Sequence, residues 1–163
     1  MRFKWVVEPP ATLDAVGDAR RAIPLVPASE ADCLRRLVDR TTETDIDDRE
    51  DASEWLTFLR ALGLVDRTAS GYRRKRVELT ADVLADRLRD GIYGARELYD
   101  RLAAADEPLS VDDLDGAVDL PTWERHHHAN PERVRRQRLR RLAEWFVCCS
   151  IAERSAAGYF ISK

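Results

Sequence analysis

The stretches Asp66-Arg67-Thr68-Ala69-Ser70-Gly71-Tyr72 and Glu153-Arg154-Ser155-Ala156-Ala157-Gly158-Tyr159 carry nearly the same residues 87 positions apart. The same offset sets Trp55, Phe58, Leu59 and Leu62 against Leu142, Trp145, Phe146 and Cys149, an apolar stripe at i, i+3, i+4 and i+7 in both copies. One structural unit therefore occurs twice. Each copy is an amphipathic helix, a short apolar exit (Leu64-Val65, then Ile151-Ala152), a polar turn and a Gly-Tyr pair that opens a strand.

A chain of 163 residues with this offset divides into two units of roughly 75 residues sharing an interface. Its hydrophobic fraction of 44% supplies a core and its charged fraction of 35% a soluble surface, which excludes a disordered chain. No apolar run approaches the ~20 residues needed to cross a bilayer, and Met1 to Glu8 is too short and too charged for a secretory signal. A cytoplasmic location without membrane contact is the expectation. Cys33, Cys148 and Cys149 make a poor disulfide framework, odd in number and with two adjacent on a helix, and are expected as buried thiols. Arginine outnumbers lysine 24 to 3 and aspartate outnumbers glutamate 18 to 12, a balance pointing to a GC-rich, salt-adapted source. Abundant arginine is thus no nucleic-acid signature by itself.

Along the chain, Phe3 to Val7 alternates as a short strand, and Pro9-Pro10, Pro24 and Pro27 punctuate an arm that fills residues 1–28. Unit one is expected over residues 29–80. Ser29 caps its first helix, with Cys33, Leu34, Leu37 and Val38 on one face. Asp45 to Glu50 is either the second helix or the start of the third, which runs through Ala52 to Leu62 and stops at Gly63. Tyr72 to Leu79 returns as a strand. Residues 81–163 hold linking helices and unit two: a helix capped by Thr80 through Arg89, another over Arg96 to Ala105, and a turn capped by Ser110. Roughly two dozen extra residues, including His126-His127-His128, then form an inserted loop, after which Asn130-Pro131 opens a long third helix.

This order of helices, exit strand and Gly-Tyr turn resembles the winged helix-turn-helix superfamily in two tandem copies, over about residues 29 to 160. The resemblance implies a mainly α fold with short β wings (α+β), in which the third helix of a unit commonly reads the DNA major groove. It implies that Arg135, Arg138 and Arg141 lie on such a helix and that Arg73, Arg74 and Arg76 lie on a wing.

The two copies differ most in charge. Residues 43 to 54 hold seven acids and Arg49, whereas residues 133 to 141 hold six arginines and no acid, so Asp48, Asp51 and Glu54 stand opposite Arg135, Arg138 and Arg141. Duplex DNA, with one negative charge per ~1.7 Å, repels the acidic helix and attracts the basic one. On a helical wheel the apolar residues of Val134 to Cys149 span about 140°, with Arg133, Arg136 and Arg140 opposite and Arg135 and Arg138 inside the apolar arc. The first two turns are therefore expected to project beyond the core. The DNA-contact set is Arg133, Arg135, Arg136, Arg138 and Arg141 with the basic wing Arg73-Arg74-Lys75-Arg76; solvated arginines and a charged strand edge are the bland alternatives.

Other chemistry is thinly supported. Adjacent histidines converge poorly on a metal, even with Glu124 and Glu132 nearby, so His126 to His128 read as an exposed loop and no metal or cofactor is expected. No nucleophile elbow, phosphate loop or dinucleotide fingerprint appears, and no catalytic residue is assigned. Two functions remain: a transcription regulator that binds double-stranded DNA, or a tandem winged-helix module that binds protein through Asp48, Asp51 and Glu54. Those acids could also meet the basic helix of a second copy in a homo-oligomer.

Overall fold

The computed structural model describes residues 6–115 and 131–161. Among these the elements run α1 (Leu13–Ala22), α2 (Glu30–Arg40), α3 (Arg49–Ala61), β1 (Val65–Thr68), β2 (Gly71–Arg74), α4 (Ala81–Gly91), α5 (Ala95–Ala104), α6 (Val111–Leu114), α7 (Pro131–Cys148), β3 (Ala152–Ser155) and β4 (Gly158–Ile161). The His126-His128 loop, Glu124 and Asn130 lie outside the described residues.

Among the described residues α1 to α3 with β1–β2, and α5 to α7 with β3–β4, repeat one pattern with α4 between them, and each antiparallel hairpin has a third, single-residue strand at its side. Val65 pairs with Arg74 and Thr68 with Gly71 in the first hairpin; Ala152 pairs with Ile161 and Ser155 with Gly158 in the second. Ala28 then bridges Tyr72, and Leu109 bridges Tyr159. These bridges explain the repeated Gly-Tyr pair. Gly71 has φ 130° and Gly158 has φ 136°, and a Cβ on either would sit 2.1 Å from the Ala28 carbonyl oxygen or 2.3 Å from the Leu109 carbonyl. Only glycine lets the third strand pass so close.

Three sequence expectations are corrected. The arm over residues 1–28 contains a helix, α1, which buries Ala15, Val16, Ala19 and Ala22; its prolines flank the helix rather than break it. The helix capped by Ser29 is consequently second in unit one, and Asp45 to Glu50 leads into α3, whose cap is Asp48 accepting from Asp51 N–H at 2.8 Å. Of the strand expected over Phe3 to Val7, residues 3–5 lie outside the described residues and Val6 and Val7 are buried in irregular chain; β2 ends at Arg74, so the return toward Leu79 is irregular chain too. The insertion expected around His126-His128 falls on residues 116–130, outside the described residues. Helix α7 is the longer of the two third helices, 18 residues against 13 in α3.

The third helices join the units. Trp55 and Phe58 of α3 meet Trp145 of α7 with ring centroids 6.2 and 4.9 Å apart, in edge and tilted contacts favoured by the ring quadrupoles. All eight stripe residues are buried in one continuous core. The N-terminal segment completes the junction, the Val7 carbonyl accepting from the buried indole N–H of Trp145 at 2.9 Å.

Candidate nucleic-acid interface

The arginines of α7 face partners within the chain. Arg135 Nε lies 2.6 Å from Asp115 Oδ1, a contact of charge rather than an aligned hydrogen bond, and Arg136 pairs with Asp112. Both acids sit on or beside α6, whose single turn is held by a capping box between Ser110 and Asp113. Arg138 is 7% exposed, donates to the Tyr93 carbonyl at 2.5 Å and lies 5.9 Å from the Tyr93 ring. Arg140 donates twice to Glu8 at 2.8 Å, and Arg141 reaches Glu8 at 3.0 Å and the Val6 carbonyl at 3.1 Å. Arg133, exposed on the first turn, also interacts within the chain. Burial works to raise the Glu8 carboxyl, but Arg140 and Arg141 outweigh it and hold the group below its ordinary range.

The expectation that the first turns of α7 project from the core is therefore corrected. A guanidinium enters an apolar arc when a carbonyl or carboxylate waits there, and Tyr93 and Asp115 provide both.

The first wing is different. Asp66 is the acid paired there, and it holds Arg73 at 3.7 Å and Lys75 at 3.9 Å, both loose. Among the described residues Arg67, Arg74 and Arg76 have no ion-pair partner, and Arg67 and Arg76 are exposed. Arg67 lies on β1 opposite Tyr72, outside the basic run Arg73 to Arg76 expected from the sequence. Arg20 of α1, in the arm for which the sequence predicts no helix, donates to the Val77 carbonyl just beyond the wing. The second wing has no such run: Arg154 pairs with Glu144 at 2.5 Å, and Glu144 also accepts from the Tyr159 hydroxyl at 2.8 Å. Burial first, then the Glu144 carboxylate, push that phenol up to about 12.

The acidic end of α3 is partly structural. Asp48 caps the helix and Asp51 accepts from Asp47 N–H at 3.2 Å, both at the end where the helix dipole favours negative charge. Glu54 lies one turn on and interacts within the chain. The thiols offer no reactive centre: burial pushes Cys33, Cys148 and Cys149 up, the last to about 12. Among the described residues no group of His, Cys, Asp and Glu is placed to hold a metal, and no helix is long and apolar enough to cross a membrane.

The model of the family described as the halobacterial double winged helix domain matches residues 1–163. No curated protein and no solved structure matches the chain. Winged-helix domains generally bind DNA and are typically not enzymes. The acid-rich, lysine-poor composition agrees with a halophilic archaeal source. Two units of matching helix order, two glycine-bridged wings and a match over the whole length place this chain in the halobacterial double winged helix domain family.

Proposed function

We propose that the chain is a double-stranded DNA-binding regulator of transcription whose principal contact is the wing of unit one. The observation that carries this reading is the distribution of unpaired charge. Arg67, Arg74 and Arg76 have no carboxylate partner among the described residues, while Arg135, Arg136, Arg140 and Arg141 of α7 each have one. A phosphate approaching α7 has to displace Asp112, Asp115 or Glu8; one approaching the wing displaces only water and counterions. In this reading α7 braces the two units, and Arg133, Arg135, Arg136, Arg138 and Arg141 serve the fold before they serve a ligand.

The test is duplex binding across a salt series with wild-type chain and with Arg67→Gln/Arg76→Gln. Log affinity falls by about 0.9 per phosphate neutralised per decade of salt, so removing two contacts should flatten the slope by roughly 2 units. Equal slopes in the two proteins would remove the wing from the interface.

A second reading, a protein-interaction module, draws support from α3. Its apolar stripe is buried against α7, and its outer face carries Glu50, Ser53, Glu54 and Thr57 around a shallow cleft of about 340 Å³. Such a face repels a phosphate backbone and suits a basic partner. A homo-oligomer seating this face on α7 has to compete with the internal partners of Arg135 and Arg141.

A further inference from the structure

The last turn of α1 and the exit of β2 are laced together. Arg74 N–H donates to the Pro24 carbonyl at 2.7 Å, and the Arg20 guanidinium donates to the Val77 carbonyl. The side chains of Arg20 and Arg74 rise from the two sides of this seam, both half-buried. Of the acids near this seam, Asp18 holds Arg21 at 3.9 Å and accepts from Thr42 N–H at 3.2 Å, Asp66 holds Arg73 and Lys75, and Glu78, next to Val77, is exposed and pairs with neither Arg20 nor Arg74. Burial first, then the guanidiniums of Arg74 and Arg21, push Arg20 below its ordinary value, so the pair sits close enough to repel. A cation at the C-terminal end of α1 offsets the helix dipole, which accounts for Arg20 but not for a second arginine brought beside it from a strand. Arg20 also keeps donors in reserve. A guanidinium has five N–H bonds and Val77 satisfies one nitrogen of Arg20; the Nε is enclosed, so the donors left for a ligand are those of the terminal nitrogens.

We propose that Arg20 and Arg74 form a notch at the foot of the first wing that holds one phosphate group, supplied by a DNA backbone when the wing lies on a duplex. The proposal rests on the wing reading for its DNA ligand but not for its phosphate chemistry. Two planar forks on one tetrahedral anion give charge-assisted bonds and remove the repulsion between the arginines. The notch would set the register of the wing on the backbone, a role that carries no sequence information.

The experiment uses the full chain, with inorganic phosphate titrated at constant ionic strength and followed by 15N-detected arginine side-chain resonances, and a duplex titrated separately. The expected result is saturable shifts of the Arg20 and Arg74 Nε signals, weakened at least about tenfold in Arg74→Gln, whose side chain has no partner within the described residues to lose. Arg20→Lys should keep the fold through its charge while losing the fork, and should weaken phosphate comparably. Arg76→Gln, outside the seam, should leave phosphate binding intact and weaken only the duplex. Phosphate binding without duplex binding would uphold the notch for a free anion and sink the DNA reading. Duplex binding with no response of Arg20 or Arg74 to phosphate, or with Arg74→Gln as tight as wild type, would overturn the notch and leave the wing standing. Failure of both ligands would overturn both.

Discussion

Replacing Arg138 with Glu separates a bracing α7 from a recognition α7. If the helix read DNA, this change would remove a phosphate contact and leave the fold intact, because unit one has Asp51 at the corresponding position. The structure gives the opposite expectation. Arg138 is 7% exposed, its guanidinium donates to the Tyr93 carbonyl, and it packs near the Tyr93 ring. Glutamate there loses a charged hydrogen bond worth about 1.5 to 3 kcal/mol and sets a carboxylate beside a carbonyl oxygen that can only repel it. Breaking a buried charged contact in this way costs about 3 to 5 kcal/mol in all. For a cooperative unit of this size each kcal/mol lowers Tm by roughly 2 to 4 °C, so a fall of roughly 6 to 20 °C is expected in calorimetry or thermal circular dichroism. Arg136→Ala is the internal control. Its pairing with Asp112 is exposed and should be worth no more than about 1 kcal/mol. If Arg138→Glu melts within about 1 kcal/mol of wild type while duplex binding disappears, the bracing role is wrong and α7 is a reading helix.

Phe58→Ala should lower stability by about 3 to 5 kcal/mol, since the ring is fully buried against Trp55 and Trp145; urea unfolding with a loss below about 1 kcal/mol would place this face of α3 outside the core. Gly71→Ala should destabilise by at least about 1 to 3 kcal/mol, because φ 130° and an Ala28 oxygen 2.1 Å from the new Cβ both oppose it; an unchanged Tm would contradict the bridge. Glu8 has its carboxyl held below the ordinary range in the fold, so its contribution is present above the unfolded value near ~4.3 and is lost as pH falls through the folded one. Glu8→Gln should remove that part of the acid sensitivity, and identical stability-versus-pH curves for the two proteins would show that Glu8 does not hold Arg140 and Arg141. Thiol titration of the native chain should be slow at Cys33 and Cys149, both buried, and fastest at the half-buried Cys148.

What was legible in the chain was what backbone geometry demands locally. A third strand crossing beside β2 and β4 requires glycine at 71 and 158, and a helix packed on its twin requires the Trp, Phe and Leu stripe; both leave marks at fixed spacing. Helix α1 left a fainter mark. Its buried face is mostly alanine and carries Gly17, so the contrast between faces is small, and the prolines on either side drew attention from the periodicity of Ala15, Ala19 and Ala22. The candidate site suffered from a different blindness. A helical wheel places Arg135 and Arg138 correctly in the apolar arc, but the partner that makes such a position tolerable lies elsewhere in the chain: Tyr93 is 45 residues from Arg138, and Glu8 is 132 from Arg140.

Counting charge along a helix measures supply, whereas binding depends on what remains after the fold has made its own pairs. In unit two the acids of α6 and the N-terminal segment offset the arginines of α7, so the charge inversion between α3 and α7 is in large part settled inside the molecule. In the first wing one aspartate stands against five cations from Arg67 to Arg76, and its two contacts are loose. At 1 M salt the Debye length is ~3 Å, so only guanidiniums that can touch a phosphate matter, and long-range fields do not. Under that condition a net charge of −3 is no barrier to DNA binding, and six arginines on one helix are no guarantee of it. An anion can sit where forks without a carboxylate partner lie together, and among the described residues Arg67, Arg74 and Arg76 share one wing whereas Arg40, Arg49, Arg87 and Arg101 stand singly on α2, α3, α4 and α5.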